Sequence, residues 1–132
     1  MSERATLLEL EGIIKEFSSV RVLDRVSFSI QEGEIMGLIG ENGAGKSTLI
    51  KIICGIYQKT DGVIRLGGKV TEIPDYITAK SLGIGIVPQE FNLINYLTVY
   101  ENIFLGSELH KGILLDKSAM RKEAEAQLNL LK

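Results

Sequence analysis

Apolar and polar residues alternate in the first part of the chain, and this spacing predicts antiparallel strands. The segments "TLLELEGIIKEF" and "VSFSI" both show the alternation, which is typical of strands with one buried face. Further along, "VIRLGGKVTEI" predicts a hairpin, because Gly67 and Gly68 can supply two turn residues with positive φ.

Two nearly continuous apolar runs predict a different kind of strand. The first, "EIMGLI", includes Ile35 and Ile39, and the second is "GIGIV". Such runs are typical of strands that are buried on both faces of a parallel sheet. We therefore expect a parallel βα core to begin after the antiparallel strands.

Helical spacing follows in several segments. Apolar residues in "KSTLIKIICG" recur with the period of a helix, and Gly55 provides a stop signal. The segment "DYITAKSL" predicts a short helix. In "TVYENIFLG", Thr98 and Glu101 form a capping box, and the predicted helix ends at Gly106.

The closing segment "DKSAMRKEAEAQLNLLK" predicts an amphipathic helix. Its apolar stripe consists of Met120, Ala124, Leu128 and Leu131. An exposed stripe of this kind tends to become buried. We therefore expect the segment either to be disordered or to pack against another copy of the chain.

Composition limits the classes of function that fit. The 132 residues suit one small domain or part of a larger one, and 45% of them are hydrophobic. A net charge of −2 with interspersed signs gives no electrostatic case for nucleic acid. The longest uncharged run, Phe91 to Tyr100, is too short for a membrane span, and no signal peptide is expected. Cys54 is the single cysteine, so no internal disulfide can form and we expect a soluble chain in the reducing cytosol. We interpret Cys54 itself as a small core residue.

The stretch "GENGAGKST" carries the most specific chemistry in the sequence. It matches G-x-x-x-x-G-K-S/T, the Walker A motif or P-loop, and it joins a predicted buried strand to a predicted helix, as that motif requires. The candidate nucleotide-binding residues are Gly40, Glu41, Asn42, Gly43, Ala44, Gly45, Lys46, Ser47 and Thr48.

The spacing of these residues suits phosphate. Glycines allow backbone conformations in which successive N–H groups point into one concavity at the positive end of a helix dipole. Lys46 can reach the β- and γ-phosphates, and the Ser47 hydroxyl can ligate Mg²⁺. Thr48 either contacts the α-phosphate or caps the first turn. The alternative is a glycine-rich turn that binds nothing.

Three longer segments resemble the ATP-binding cassette (ABC) ATPases. These are "LLELEGIIKEF", "VLDRVSFSIQEGEIMGLIGENGAGKSTLIKIICGIYQKTDGVI" and "SLGIGIVPQEFNLINYLTVYENIFLG". The sequence of the third segment is similar to that of the ATPase subunits of bacterial ribose, galactose and xylose importers. The resemblance extends from Leu7 to Gly106 and is weaker in the closing helix.

The resemblance implies roles for two residues outside the loop. Phe17 occupies the place of the aromatic residue that stacks on adenine, and a π-face suits any base. Gln89 matches the Q-loop glutamine, which in this family contacts Mg²⁺ and the attacking water and relays the nucleotide state to the membrane subunit. The apolar residues Phe91, Leu93 and Leu97 either face a permease or belong to the core.

Other motifs of the family do not occur in the sequence. An LSGGQ signature, a Walker B aspartate with its catalytic glutamate, and a switch histidine are all missing. "RLGGK" lies in the predicted hairpin and has no serine before its glycines. The segment "GILLD" resembles a Walker B motif, but Lys117 stands where the catalytic glutamate would follow Asp116. We therefore interpret Asp116 as a helix cap or first-turn acid. His110 precedes any possible Walker B, and we interpret it as a surface loop residue.

The expected fold class is α/β: an ABC-type P-loop NTPase core fragment with an N-terminal antiparallel β-subdomain and the start of the helical subdomain. Residues 1–132 would form the N-terminal part of one ABC ATPase domain, which binds ATP and Mg²⁺. The resemblance implies a parent protein on the cytoplasmic face of the inner membrane that couples ATP hydrolysis to sugar import. Its implied partners are permease transmembrane subunits, a second ABC ATPase domain and, indirectly, a sugar-binding protein.

Three alternatives remain open from the sequence. One is an ABC ATPase without a transport function, which a basic arm or an inserted domain would favour, although neither is visible in the sequence. Another is a nucleotide-binding fragment with no independent activity, which could associate with itself through the C-terminal helix. The third is a GTPase or a small-molecule kinase, although the N-K-x-D guanine motif of GTPases is missing.

Overall fold

A computed structural model describes residues 5–88 and 93–131 of the chain. These residues form two compact units that divide between Val87 and Pro88. The first unit contains, in chain order, β1 (Thr6–Phe17), β2 (Val20–Gln31), α1 (Lys46–Ile53), β3 (Asp61–Leu66), β4 (Lys69–Val70) and α2 (Tyr76–Ser81). The second unit contains α3 (Val99–Ile103), β5 (His110–Lys111), β6 (Leu114–Leu115) and α4 (Lys117–Asn129).

An antiparallel sheet organises the first unit, as the alternating segments predict. Its strand order is β2-β1-β3-β4, and each neighbouring pair is antiparallel. Ser18 and Ser19 connect β1 to β2 with φ values of 45° and 72°. Gly67 and Gly68 connect β3 to β4 with φ values of 54° and 77°, which confirms the predicted hairpin.

One apolar cluster holds this unit together. Its buried members come from three strands and both helices of the unit, or lie just before α2: Leu8, Leu10, Ile13, Leu23, Leu49, Ile52, Ile64, Ile73 and Ala79. Burying each large aliphatic side chain stabilises the fold by about 1.5–3 kcal/mol. Cys54 is also buried, as predicted, and its burial raises the pKa of the thiol. The cluster therefore fixes α1 against the sheet.

Helix α1 ends with a glycine motif. Gly55 has a φ of 71°, and its N–H donates to the carbonyl of Ile52 at 3.0 Å. The N–H of Ile56 donates to the carbonyl of Lys51 at 2.8 Å. These two bonds form a Schellman motif, which confirms Gly55 as the predicted stop signal.

The two predicted buried strands of a parallel sheet are not formed. Ile35 is 98% exposed, Ile39 is 95% exposed and Val87 is 96% exposed, and no strand includes residues 34–40 or 84–88. A central strand needs hydrogen-bonded neighbours on both edges. Within residues 5–88, no other strand pairs with either run. The predicted strands are therefore wrong for this structure, because an apolar sequence alone does not supply a partner.

Local capping organises the second unit. Thr98 and Glu101 form the predicted capping box, and these hydrogen bonds to Thr98 lower the pKa of the Glu101 carboxyl. The helix ends at Ile103, before the predicted end at Gly106. The Asn102 side-chain oxygen accepts from the N–H of Ile94, and its amide nitrogen donates to carbonyl oxygens of the segment before α3, those of Ile94, Leu97 and Thr98.

The sequence interpretations of Asp116 and His110 concern residues in or next to the β5–β6 hairpin of the second unit. Asp116 accepts a hydrogen bond from the N–H of Ala119 at 2.9 Å, so it is the N-cap of α4, as predicted. His110 is exposed, as predicted, but it lies in the two-residue strand β5 and not in a loop. Across the described ranges, no helix has the length and apolarity needed to cross a membrane.

The closing segment forms α4 over Lys117–Asn129, so the expectation of disorder is wrong. Met120 and Ala124 are buried, and α4 packs against α3 of the same unit, whereas Leu128 is 43% exposed and Leu131 is 83% exposed. The first half of the apolar stripe thus finds partners in its own unit. Association with a second copy through the exposed half remains a prediction.

Candidate functional site

The glycine-rich loop Gly40–Thr48 leads directly into α1. Gly43 and Gly45 have φ values of 86° and 87°, a region that favours glycine strongly. Gly45 is also the N-cap residue of α1. The positive-φ geometry that the sequence predicts for this turn is therefore present at two of its three glycines.

The N-terminus of α1 differs from those of the other three helices. Asp75, Thr98 and Asp116 each cap a helix by accepting a hydrogen bond from a first-turn N–H. At α1 no described side chain provides such a cap, and the first turn contains no acidic residue. The first intrahelical bond runs from the N–H of Leu49 to the carbonyl of Gly45. The preceding N–H groups thus form a donor set that suits an anion.

Lys46 adds a positive charge at this helix end. Its ammonium donates hydrogen bonds to the carbonyl oxygens of Gly40 and Glu41, each at 2.7 Å. The side chain therefore folds back over its own loop, and its charge lies on the loop that precedes α1. Ser47 is exposed, so its hydroxyl is accessible to a ligand, and Thr48 is half-buried.

Strand β2 supports the loop from behind. Gly45 is buried, and a Cβ placed on it would meet the side chain of Leu23 and the carbonyl oxygen of Val22. A Cβ on Gly43 would meet no heavy atom within 4 Å. The two glycines therefore serve different purposes: both allow positive φ, but only Gly45 permits close packing.

Phe17 lies at the end of β1, outside the buried cluster. Phe17 is 38% exposed. Its ring contacts the ring of Tyr57 edge to face, with the two centroids 5.3 Å apart. The ammonium of Lys15 lies 4.6 Å from the Phe17 ring centroid. This exposed position leaves the ring accessible to a planar ligand.

The other residues that the sequence analysis singled out lie elsewhere in the chain. Gln89, together with Phe91, lies outside the described residues. Leu93 is 65% exposed, and Leu97 is half-buried. "RLGGK" lies in the β3–β4 hairpin, as predicted. Among the described residues, no group of three His, Cys, Asp or Glu side chains could hold a metal ion. Ser47, the loop residue that the sequence predicts as a Mg²⁺ ligand, is exposed.

The sequence interpretation missed two residues that contact Phe17. Tyr57 lies 40 positions further along the chain, beyond the end of α1, so no local pattern connects it to β1. Lys15 precedes Phe17 by two positions. Side chains two apart lie on the same face of a strand, and that spacing was the signal that could have identified it.

Comparison with protein families gives one match over most of the chain. The family model described as ABC transporter matches residues 23–132. The matched range includes the loop Gly40–Thr48 and the whole of the second unit.

Curated relatives are similar over nearly the whole chain. The ribose import ATP-binding protein RbsA of Clostridium tetani is 47% identical over 131 residues, which are 98% of this chain and 26% of that protein. The RbsA protein of Hahella chejuensis is 50% identical over 91% of this chain and 24% of its own length. A putative ribose/galactose/methyl galactoside import ATP-binding protein of Burkholderia ambifaria is 48% identical over 92% of this chain and 24% of its own. The chain spans about a quarter of the length of these relatives.

Solved structures show the same fold. A nucleotide-free ATP-binding cassette from an ABC transporter superposes with a TM-score of 0.70 at 33% identity, covering 76% of this chain and 40% of that one. A second cassette, in its ADP conformation, gives a TM-score of 0.51 at 36% identity, covering 53% of this chain and 28% of that one. These comparisons confirm the predicted fold class, an ABC-type P-loop NTPase fold with an antiparallel β-subdomain.

Proposed function

The chain belongs to the ABC transporter family, and on that premise we propose that it is the MgATP-binding, N-terminal part of an ABC ATPase domain. The observation that carries this proposal is the N-terminus of α1. It has no side-chain cap among the described residues, and it follows a loop over which the Lys46 ammonium folds back. Phosphate is the ligand that this donor set fits.

The proposed site combines loop residues with two residues outside the loop. The N–H groups of Gly43 and of Gly45 to Thr48 would bind phosphate oxygens, and Lys46 would exchange its two carbonyl partners for the β- and γ-phosphates. Ser47, which is exposed, would ligate Mg²⁺ through its hydroxyl. The metal, when bound, neutralises charge on the phosphates. Phe17 would stack on adenine, and Gln89 would contact the metal and the attacking water.

The proposed substrate of the whole protein follows from its relatives. Those described above carry names of ribose or galactose import. We propose that the longer protein hydrolyses ATP to drive import of a monosaccharide. It would act on the cytoplasmic face of the membrane, with permease subunits, a second ABC ATPase domain and, indirectly, a sugar-binding protein.

The exposed apolar runs are consistent with such a longer protein. Ile35 and Ile39 on one run and Val87 on the other are almost fully exposed. Further strands of the ATPase domain would pair with both runs and bury these side chains. The exposed part of the α4 stripe, Leu128 and Leu131, would be covered by the rest of the helical subdomain or by a second copy of the chain.

Isothermal titration calorimetry of the 132-residue chain tests nucleotide binding. The wild type should bind ATP and ADP in the presence of Mg²⁺ weakly but measurably. Lys46→Ala should abolish this binding, because it removes the charge that meets the β- and γ-phosphates. Lys69→Ala is the matched control, since it removes the same charge from the β3–β4 hairpin. Equal affinity of wild type and Lys46→Ala would overturn the proposal.

A further inference from the structure

Four side chains form a cluster at the end of β1: Lys15, Phe17, Lys51 and Tyr57. The Phe17 and Tyr57 rings meet at an interplanar angle of 75° with centroids 5.3 Å apart. The Lys15 ammonium lies 4.6 Å from the Phe17 centroid, and the Lys51 ammonium lies 5.1 Å from the Tyr57 centroid. Each ring therefore has a cation and the other ring as neighbours.

Phe17 does not belong to the apolar cluster of the first unit, so the core does not fix its ring. It is the last residue of β1, it is 38% exposed, and two serines with positive φ follow it. An exposed side chain at a strand end samples several rotamers, and binding a base would require one of them. A contact that already selects the rotamer reduces this cost.

Tyr57, in contrast to Phe17, packs against the apolar core of the first unit. Its backbone N–H donates to the carbonyl of Lys51 at 3.1 Å, as part of the end of α1. Its side chain is half-buried and packs against the apolar cluster of the first unit. The opposite end of the same helix begins at Lys46, in the glycine-rich loop. Helix α1 thus connects the proposed phosphate site, at its N-terminus, to the segment that carries Tyr57.

We propose that Tyr57 is a positioning residue for base recognition: it holds the Phe17 ring in the orientation that stacks on the base of the nucleotide. This inference rests on the proposed function, because it requires a nucleotide in the loop Gly40–Thr48. Tyr57 itself does not contact the base. Its effect is transmitted by the edge-to-face contact between the two rings, an interaction whose strength depends on ring geometry.

Affinity measurements with three ligands test this role. Tyr57→Leu should weaken MgATP and MgADP binding about three- to tenfold, the effect expected for one aromatic pair. Binding of inorganic triphosphate, which has no base, should remain unchanged, and it also reports that the variant is folded. Tyr57→Phe keeps the ring and should bind like the wild type.

A double-mutant cycle separates an indirect role from a direct one. If Tyr57 acts through Phe17, then Tyr57→Leu should have no further effect on ATP affinity in a Phe17→Ala background. Additive losses would overturn the inference, and so would an unchanged ATP affinity of Tyr57→Leu. An equal loss of triphosphate binding would also overturn it, because the residue would then support the fold. Failure of the proposed function looks different: Lys46→Ala would leave both ATP and triphosphate binding intact.

Discussion

Gly45 packs against Leu23 so closely that no side chain fits between them. A Cβ on Gly45 would lie 2.6 Å from Cδ2 of Leu23 and 2.9 Å from the carbonyl oxygen of Val22. Leu23 is itself buried in the apolar cluster, so it has little room to move. The position of the glycine-rich loop therefore depends on the sheet behind it.

The first prediction compares two glycines that share a backbone conformation. Gly43 and Gly45 have φ values of 86° and 87°, so alanine at either position costs about 1–2 kcal/mol of backbone strain. Gly45→Ala should cost about a further 1–3 kcal/mol, because it also overpacks the contact with Leu23. Urea unfolding measures both values, and Gly43→Ala is the matched control. Equal destabilisation by the two variants would contradict the close packing.

The second prediction separates base recognition from phosphate recognition. Phe17→Ala should weaken ATP and ADP binding to the same extent, by about 1–3 kcal/mol, because both nucleotides carry the base that stacks on the ring. Any preference for triphosphate over diphosphate should be unchanged. Calorimetry with inorganic triphosphate is the control, and it should hardly respond. If nucleotide affinity stays intact, another residue binds the base.

The third prediction concerns acid. Hydrogen bonds from Thr78, first from its backbone N–H, lower the pKa of the Asp75 carboxyl, which caps α2. A lowered folded-state pKa means that the ionised carboxyl stabilises the fold above its unfolded pKa. This contribution is lost as the pH falls through the folded pKa. The unfolding free energy of the wild type should therefore decrease between about pH 5 and pH 3.

Asp75→Asn identifies the share of that decrease that belongs to Asp75. Asparagine retains a capping oxygen but does not titrate. The stability difference between wild type and Asp75→Asn should be largest near neutral pH and should shrink as the solution is acidified. Glu32→Gln, which removes an exposed carboxyl directly after β2, is the control. A difference that is constant with pH would contradict the role of the ionised cap.

Features encoded by neighbouring residues were predicted well from the sequence. The strand alternation of β1, the Gly67–Gly68 hairpin and the Asp116 cap depend on residues that are close in the chain, and the structure contains all three. The strand predicted for the apolar run with Ile35 and Ile39 is wrong, because a buried strand requires hydrogen-bonded neighbouring strands. The hydrophobicity of a segment does not reveal whether those strands are present. Contacts between distant residues were also missed.

The candidate site shows the same division. The loop Gly40–Thr48 was identified because its motif is contiguous, and its positive-φ glycines are found in the structure. Tyr57 was missed because its contact with Phe17 spans 40 residues. Its side chain reaches Phe17 only once α1 has packed against the sheet. Tertiary packing, which no local pattern contains, therefore decides how the exposed ring is supported.

The last prediction is that the 132-residue chain binds nucleotide without meaningful turnover. Phosphate positioning alone does not make an efficient ATPase, because the attacking water must be oriented and the developing charge must be stabilised. Lys46 and Ser47 can provide charge and a metal ligand, and Gln89 is proposed to contact the water. The sequence supplies no Walker B aspartate, no catalytic glutamate after it and no LSGGQ signature, so a second copy could not complete the site. Each missing group costs several kcal/mol, and about 1.4 kcal/mol is already tenfold in rate. Phosphate release from purified protein should match the Lys46→Ala contamination control, and steady turnover near 1 per second or faster (roughly the lower end of ordinary enzymes) would reveal a catalytic residue elsewhere in the chain.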